Sequence, residues 1–311
     1  MIKRTLYFEN PAYLSVKNKQ LVIKLPEVEN NNTLSDDFRK KSIKTIPIED
    51  IGVIILDNKQ ITLTHGLIEC LVGNNTSVIT CDSDRMPNAM ILPLFGNTIQ
   101  NERFRHQINA TEPLKKGLWQ QTAKIKVRNQ SSLLKKVRKC NTDNMDYWCS
   151  QVKSGDPDNY EARAAAYYWK SAFPQIDNFV RDRNGAPPNQ LLNYGYAILR
   201  AVIARSLVGS GLLPTLGIHH HNRYNAYCLA DDIMEPYRPF VDEMVFSLVD
   251  SDLDYSQLTS EIKYKLLTIP TIDVIIEEKR SPLMIAATIT SASLQKCFEG
   301  RLRKIKYPQF E

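Results

Sequence analysis

The sequence predicts an α+β protein, in which a β-rich domain at residues 1–100 is followed by a larger all-α domain at residues 101–311. Two observations predict this division. Short runs of β-branched and aromatic residues, separated by turn-forming clusters, fill the first hundred residues. Beyond about residue 100, longer segments with apolar residues at helical spacing replace them.

The N-terminal region carries the signals of short strands. Runs rich in Val, Ile, Thr and Tyr alternate with clusters such as Lys-Asn-Lys at 17–19 and Glu-Asn-Asn-Asn at 29–32. The predicted strands are 5–9, 13–16, 20–25, 44–48, 51–56, 61–64 and 77–81. One helix is predicted among them, at residues 65–73.

Five amphipathic segments make up most of the C-terminal region. Each has apolar residues at helical spacing and a charged opposite face, which is typical of helices packed on a core. The predicted helices are 113–139, 158–172, 187–211, 232–250 and 281–300. Pro239, Pro270 and Pro282 punctuate these segments and mark their boundaries.

Composition indicates a folded, basic protein. Of its 311 residues 43% are apolar and 24% charged, with a formal net charge of +6, which argues against wholesale disorder. Residues 101–150 hold eleven Lys and Arg but four Asp and Glu. The C-terminal tail repeats the bias with Lys296, Arg301, Arg303, Lys304 and Lys306. A basic surface favours nucleic acid as a partner, although solvated helix faces are often basic without one.

The cysteines and the N-terminal residues indicate in which cellular compartment the protein is expected. The six cysteines include no Cys-x-x-Cys pair, which argues against a zinc ribbon or a redox dithiol. The first residues lack the apolar core and cleavage site of a signal peptide. No apolar run approaches the roughly 20 residues that span a bilayer. We therefore expect a cytoplasmic protein that does not contact membranes.

A histidine triplet followed by an acidic cluster is the strongest chemical signal. His219, His220 and His221 precede Asp231, Asp232 and Glu235 by about a dozen residues. Imidazole and carboxylate ligands together suit Mn²⁺ or Mg²⁺ in phosphodiester chemistry. In a helix, Asp232 and Glu235 share a face at i, i+3. They would equally fit an N-cap and its capping-box partner, and both interpretations stay open.

Glu161 is a third acidic candidate. It opens a run of strong helix formers, Glu-Ala-Arg-Ala-Ala-Ala-Tyr-Tyr-Trp-Lys, and shares a face with Ala164, Ala165 and Tyr168. A carboxylate that faces a packed neighbour needs a partner, because burying it alone is very costly. A salt bridge to an arginine or a metal ion would each satisfy it.

Together with their neighbours, these residues form a series of motifs that is known from one protein family. A glutamate that heads an Ala-rich helix, a Gly-x-His-His turn at 217–220 and an Asp-x-x-Glu-Pro-Tyr-Arg-Pro segment at 232–239 follow one another. Between them lies Asn-Gln-Leu-Leu-Asn-Tyr-Gly-Tyr-Ala-Ile-Leu at 189–199. Over nearly its whole length the chain resembles the CRISPR-associated integrase, the catalytic subunit of the spacer-acquisition complex, and most closely its type II members.

The resemblance implies a site and a reaction. Its metal ligands fall on Glu161, His220 and Glu235, with Asp232 as an additional acidic residue of the active site and Mg²⁺ or Mn²⁺ as cofactor. The reaction would insert a short DNA fragment into a CRISPR repeat, through attack of a 3′-hydroxyl on a phosphodiester. The residues expected to bind the DNA phosphates are Lys115, Lys116, Lys124, Lys126 and Arg128.

The resemblance also implies partners. Integration at two strands requires two active sites, so a homodimer formed through the β-rich domain is expected, bridged by a small ferredoxin-like second subunit. Double-stranded DNA, both the fragment and the repeat, is the expected substrate. Three other functions stay open: a metal-dependent nuclease on single-stranded or branched DNA, a non-catalytic DNA-binding scaffold, and, more distantly, a zinc hydrolase that uses the histidine triplet.

Overall fold

A computed structural model describes residues 3–310. It divides the chain into two compact units, Met1–Gly96 and Asn97–Glu311. Strands dominate the first unit and helices the second, as the sequence predicted for an α+β protein.

The first unit contains two four-stranded sheets. The strands are β1 Arg4–Phe8, β2 Tyr13–Lys17, β3 Gln20–Lys24, β4 Lys44–Pro47, β5 Ile51–Leu56, β6 Thr62–Leu63, β7 Ser77–Cys81 and β8 Pro87–Ile91. One sheet has the order β1-β5-β7-β8, with the first three strands parallel and β8 antiparallel; the other has the order β4-β3-β2-β6. The helices are α1 Pro26–Glu29, α2 Asp36–Ser42 and α3 His65–Gly73.

Burial explains why most of these strands were predictable. Every residue of β5 is buried, so the strand is one continuous apolar run flanked by parallel neighbours. The edge strand β8, which the sequence did not predict, buries none of its five residues and contains a proline and an asparagine, which are uncommon in strands. The short helices α1 and α2 bury no residue, which is why periodicity did not reveal them.

The second unit is predominantly helical. Its helices are α4 Gln100–Ile108, α5 Glu112–Leu133, α6 Asp143–Gln151, α7 Tyr160–Ala172, α8 Asn189–Gly209, α9 Cys228–Met234, α10 Arg238–Val249, α11 Ser260–Leu266 and α12 Leu283–Phe298. A single π-helical turn, Leu134–Arg138, extends α5. The predicted helix 232–250 is two helices, because Pro236 and Pro239 interrupt it with a 3₁₀ turn at Glu235–Tyr237.

A hairpin corrects the expectation of an all-α second domain. Strands β9 Asp273–Ile276 and β10 Lys279–Pro282 pair antiparallel. The two turn residues, Glu277 and Glu278, both have positive φ (50° and 62°), which a two-residue type I′ turn requires. Because glutamates replace the usual Asn-Gly, no turn signal is recognisable at these positions in the sequence.

Helix α8 forms the centre of the second unit. By length and composition it is long and apolar enough to cross a membrane, which inspection of the sequence did not anticipate. However, 78% of its apolar segment is buried, since α9, α10 and α12 pack around it. This is the pattern of a core helix.

Candidate active site

In the helical unit, two carboxylates contact the same cation, and the three side chains come from three different elements. Glu161 lies in the first turn of α7, Glu235 opens the 3₁₀ turn before α10, and Lys126 comes from the middle of α5. The Lys126 ammonium lies 2.6 Å from Glu235 Oε2 and also contacts Glu161 Oε1. Two of the predicted metal ligands therefore converge on a single positive charge.

Lys126 is consequently not where the sequence interpretation put it. It was expected to meet DNA phosphates on an exposed helix face, but only 9% of it is exposed. Burial alone would lower the pKa of Lys126, yet the charges of Glu235 and Glu161 outweigh burial and raise the pKa. The residue is a charged component of the carboxylate site.

A second cation holds Glu235. Arg238 Nε lies 2.9 Å from Glu235 Oε1, at i+3 in the same turn. Burial would raise the pKa of Glu235, but Arg238 and Lys126 together lower it to about 2. Glu235 is thus a carboxylate at every physiological pH, as a metal ligand must be.

Glu161 is positioned by a residue that the sequence interpretation overlooked. The buried Asp156 accepts hydrogen bonds from the backbone N–H groups of Tyr160 (3.1 Å) and Glu161 (2.9 Å). It thereby satisfies free amides at the start of α7, where Asn159 has positive φ. The signal, an aspartate five residues before the glutamate, was present but ambiguous among the neighbouring Asp and Asn residues.

Asp232 organises the histidine loop. It lies inside α9, whose N-cap is Tyr227, so the interpretation of Asp232 as an N-cap is wrong. Its fully buried carboxylate accepts from the backbone N–H groups of Ile218 (2.7 Å), His219 (2.9 Å) and His220 (3.2 Å). One aspartate therefore fixes three consecutive residues of the loop.

The same carboxylate orients His220. Asp232 Oδ1 lies 2.5 Å from His220 Nδ1, which leaves Nε2 as the nitrogen able to bind another group. The hydrogen bond to Asp232 raises the pKa of His220, although burial opposes it. Gly217 makes the close approach possible, because a Cβ there would lie 2.8 Å from Asp232 Oδ2 and would collide with the His220 carbonyl oxygen.

The side chain of His219 makes a different contact from that of His220. Its ring stacks on Trp119 of α5, with 3.9 Å between centroids and an interplanar angle of 2°, while His220 meets the same indole edge-on at 5.6 Å. Burial, and next the neighbouring charge of His220, lower the pKa of His219. Trp119 thus holds the histidine loop against the helix that carries Lys126.

The remaining predicted DNA contacts lie along the same helix. Arg128 and Lys116 are exposed, whereas Lys115 and Lys124 are partly buried. Lys115 also pairs with Glu112 at 3.2 Å, and it lines a cavity of about 400 Å³ that contains His220. These four residues remain candidates for phosphate contacts.

The C-terminal tail packs on the helical unit. Asn129 of α5 donates to the carbonyl oxygens of Pro236 (2.7 Å) and Pro308 (3.0 Å). Ile305 and Tyr307 are buried, while the basic residues Arg303, Lys304 and Lys306 are exposed. The tail therefore keeps its charges on the surface and braces the turn that contains Glu235.

The donor set fits a divalent cation. Two carboxylates already share one cation, and His220, whose Nδ1 is held by Asp232, is near enough to Glu235 for its charge to lower the pKa of that carboxyl. Carboxylate oxygens with one imidazole suit Mg²⁺ or Mn²⁺. As the side chains of residues 3–310 stand, no group of three His, Cys, Asp or Glu is close enough to hold a metal ion. Lys126 occupies the space between the carboxylates, so binding a metal there requires its displacement.

Solved structures share this fold. A casposase bound to its integration product matches 100% of this chain and 95% of its own, with a TM-score of 0.75 and 21% identity. A chain of the Cas6-RT-Cas1–Cas2 complex matches 97% of this chain and 35% of its own, with a TM-score of 0.71 and 19% identity. At these identities the likeness concerns the fold.

Comparison of whole sequences identifies the family of CRISPR-associated proteins to which this chain is related. The CRISPR-associated endonuclease Cas1 of Neisseria meningitidis serogroup C (strain 8013) is 32% identical over 99% of this chain and 97% of its own length. The family model for CRISPR associated protein Cas1 matches residues 6–278. The chain belongs to the Cas1 family, which confirms the resemblance drawn from the sequence.

Proposed function

We propose that this protein is a metal-dependent DNA integrase of CRISPR adaptation. The observation that carries the proposal is the convergence of Glu161 and Glu235 on one cation, with His220 within electrostatic reach of Glu235. In the reaction, a 3′-hydroxyl oxygen of a short DNA fragment bonds to a phosphorus of the CRISPR repeat. The bond from that phosphorus to the 3′-oxygen of the repeat breaks, so the number of phosphodiesters is conserved.

Different residues would have different roles in this reaction. Glu161, Glu235 and the Nε2 of His220 would hold Mg²⁺ or Mn²⁺, which supplies charge to the phosphoryl oxygens and promotes loss of the hydroxyl proton. Asp232 keeps His220 in the tautomer that can bind. Lys115, Lys116, Lys124 and Arg128 would neutralise phosphates along the duplex.

Partners follow from the reaction. Two insertions on opposite strands need two sites at a fixed distance, which a homodimer formed through the β-rich unit would supply. The Cas6-RT-Cas1–Cas2 complex, whose chain shares this fold, supports a Cas2-like second subunit. We place the protein in the cytoplasm and assign it no membrane contact, since its basic surface and unpaired cysteines suit that compartment.

A nuclease that cuts branched or single-stranded DNA without joining is the second candidate. The endonuclease name of the Neisseria relative favours it. Both activities use the same phosphodiester chemistry, and they differ in whether a 3′-hydroxyl or water attacks. A scaffold in which Asp232 and Glu235 merely cap helices is less well supported, because both carboxylates bind groups outside their helix starts.

The decisive experiment is a strand-transfer assay. A labelled fragment, a CRISPR-repeat plasmid, the second subunit and Mn²⁺ or Mg²⁺ are incubated with wild type, Glu161→Ala and the control Glu243→Ala, which removes a carboxylate paired with Lys136. Joined product that is lost only with Glu161→Ala supports the integrase. Cut fragments without joining favour the nuclease, and undiminished joining by Glu161→Ala refutes the assignment.

A further inference from the structure

The C-terminal tail, residues 303–310, runs along helix α5. Gln121 of α5 donates to the carbonyl oxygen of Arg303 (3.0 Å) and accepts from the backbone N–H two residues later (2.9 Å). The next residue of the helix, Thr122, has its Oγ1 2.8 Å from the hydroxyl of the buried Tyr307. The tail is therefore attached to α5 through its backbone as well as through a side chain.

Asn129 joins this tail to the turn that contains Glu235. Its side chain is fully buried, and its Nδ2 donates to the carbonyl oxygens of Pro236 (2.7 Å) and Pro308 (3.0 Å). Its Oδ1 accepts from the backbone N–H of Phe310 (3.4 Å). Both donors and the acceptor of one amide group thus bind backbone atoms of the turn and the tail.

The Pro236 carbonyl cannot be satisfied by the 3₁₀ pattern of its own turn. In that pattern a carbonyl accepts from the N–H group three residues further on. Here that residue is Pro239, which has no N–H. Asn129 supplies the donor from a different helix, so the backbone directly after Glu235 is fixed by a tertiary contact.

Two further contacts hold the segment that follows the glutamate. The Tyr237 hydroxyl lies 2.6 Å from Thr290 Oγ1, and Thr290 in turn donates to the carbonyl oxygen of Lys306 in the tail (2.6 Å). The ring of Phe310 stacks on that of Phe240 at the start of α10, with 4.2 Å between centroids and an interplanar angle of 9°. The tail therefore restrains the 3₁₀ turn and the first turn of α10 together.

We propose that Asn129 and the C-terminal tail are positioning elements of the metal site, which hold Glu235 where it can serve as a ligand. Lys126 and Arg238 hold the carboxylate of Glu235, whereas Asn129 holds its backbone. When Lys126 is displaced, the backbone restraint remains, and a ligand fixed in advance loses less entropy on binding. The role of both elements rests on the proposed metal-dependent function and adds to it groups that do not themselves bind the metal.

Mn²⁺ binding in the absence of DNA tests the proposal. Calorimetry measures the affinity of wild type, Asn129→Ala and Phe310→Ala for Mn²⁺ alone. Asn189→Ala is the matched control for Asn129→Ala, because Asn189 is a buried asparagine that also donates to two carbonyl oxygens, both in the loop before α8. Tyr264→Ala, which removes an exposed ring on α11, is the control for Phe310→Ala.

The expected result is a selective loss of metal affinity. Asn129→Ala should weaken Mn²⁺ binding about tenfold and Phe310→Ala about threefold, as for other groups that support metal ligands, while both controls retain the wild-type affinity. Phe310→Ala changes a residue near the chain end, so it keeps the test valid if Asn129→Ala does not fold. An equal loss in Asn189→Ala, or no loss in the two main variants, overturns the proposal.

Hydrogen exchange in EDTA provides a second readout that needs no metal. The backbone amides of residues 237–241 should exchange about tenfold faster in Asn129→Ala than in wild type, because the turn opens more often without its anchor. Phe310→Ala should change the same segment in the same direction, and Asn189→Ala should leave it unchanged. Unaltered protection of this segment in both main variants contradicts the positioning role, whatever their metal affinity.

Joining assays separate the positioning role from the proposed function. If the wild type joins DNA, Asn129→Ala should need about tenfold more Mn²⁺ for half-maximal joining and should approach the wild-type rate at saturating metal. If the wild type does not join DNA, the integrase is refuted, while a selective loss of Mn²⁺ affinity in Asn129→Ala still supports the positioning role. Joining by Asn129→Ala with the wild-type dependence on Mn²⁺ refutes the positioning role and leaves the integrase intact.

Discussion

Lys126 Nζ lies 2.6 Å from Glu235 Oε2, and the same ammonium group contacts Glu161. Two carboxylates brought together in a buried site repel each other unless a cation lies between them. Lysine supplies that cation within the chain itself. The site is therefore assembled before any metal binds, and an arriving divalent ion must displace Lys126.

Replacing Lys126 with methionine should destabilise the metal-free protein and strengthen its binding of Mn²⁺. Without the ammonium, Glu161 loses its buried partner and Glu235 keeps only Arg238, so the metal-free variant should lose about 3–5 kcal/mol of unfolding free energy. Mn²⁺ no longer competes with a bound cation and should bind about tenfold more tightly. Thermal unfolding with and without Mn²⁺ checks both effects, because the metal-induced rise in Tm should be larger in the variant.

Lys124→Met is the control for this comparison. Lys124 is a partly buried lysine two residues earlier on the same helix and makes no contact with either glutamate. Its variant should show the wild-type response to Mn²⁺. A Lys126→Met variant with unchanged or weaker Mn²⁺ affinity would contradict the displacement of Lys126 by metal.

Asp232→Asn tests the loop. The asparagine amide cannot accept from three backbone N–H groups and His220 Nδ1 together, so His220 should lose its fixed orientation. Changes to such supporting groups typically weaken metal affinity by about 10–100-fold. Calorimetric titration with Mn²⁺ measures this. Asp231→Asn, which breaks a pair with Arg200, should retain affinity within a few-fold, and comparable losses in both would refute a specific role of Asp232.

The neighbouring histidines should respond differently. His220→Ala removes a predicted ligand and should reduce strand transfer by on the order of a hundredfold or more. His219→Ala removes a stack on Trp119 and should lower the unfolding free energy by about 0.5–1 kcal/mol while joining continues. Strand-transfer and urea-denaturation assays on both variants decide. Equal loss of joining in two folded variants would mean that the ligand has been assigned to the wrong histidine.

The predictable part of the structure was the part with local signals. Strand β5 and helices α7 and α8 follow from apolar patterns within a few residues. The resemblance to a known family implied Glu161 and Glu235 as ligands, and the structure places both against Lys126. Their approach could not be derived from any single segment.

Lys126 shows where sequence reasoning failed. Residues 113–139 are rich in Lys and Gln, and Lys126 was predicted to bind DNA phosphates together with Lys124 and Arg128. Helix α5 in fact buries Lys126, Asn129 and Gln130, because their partners come from distant elements. The interpretation of Asp232 as an N-cap was wrong for a similar reason. Helix α9 begins at Cys228, earlier than predicted, and the Asp232 carboxylate accepts from backbone N–H groups of the loop at 218–220. For such polar groups, tertiary contacts decide whether the side chain is buried and which partner it binds.

Asp242 should control how stability changes between about pH 4.5 and 6. Burial raises the pKa of Asp242 to about 6, although Tyr196 and Tyr168 donate hydrogen bonds to it. Within this range the folded state holds a proton that the unfolded state has lost, so the unfolding free energy falls as pH rises, by about 3 kcal/mol over the whole titration from pH ~4. Glu235, with its pKa lowered to about 2, acts the other way, and only below about pH 4.5.

Urea denaturation of wild type and Asp242→Asn from pH 4.5 to 7 measures the contribution of Asp242. The difference between the two unfolding free energies should change with pH up to about 6 and be constant above it. A difference that does not vary over this range would mean that Asp242 is ionised in the folded protein at pH 4.5.

Lys126 and Arg128 lie on the same helix, but only the exposed Arg128 should contribute to the salt dependence of DNA binding. Arg128 is exposed on α5, so Arg128→Gln should lower the slope of log affinity against log salt by about 0.9. Lys126→Met should leave the slope unchanged, because a buried, doubly paired ammonium contacts no phosphate. Filter binding of duplex DNA between about 50 and 200 mM salt measures both slopes. Repeat-containing and random duplexes should be affected equally, since phosphate contacts carry no sequence information. A loss confined to the repeat sequence would instead place Arg128 at a base edge, and a reduced slope for Lys126→Met would return that lysine to the DNA-binding surface.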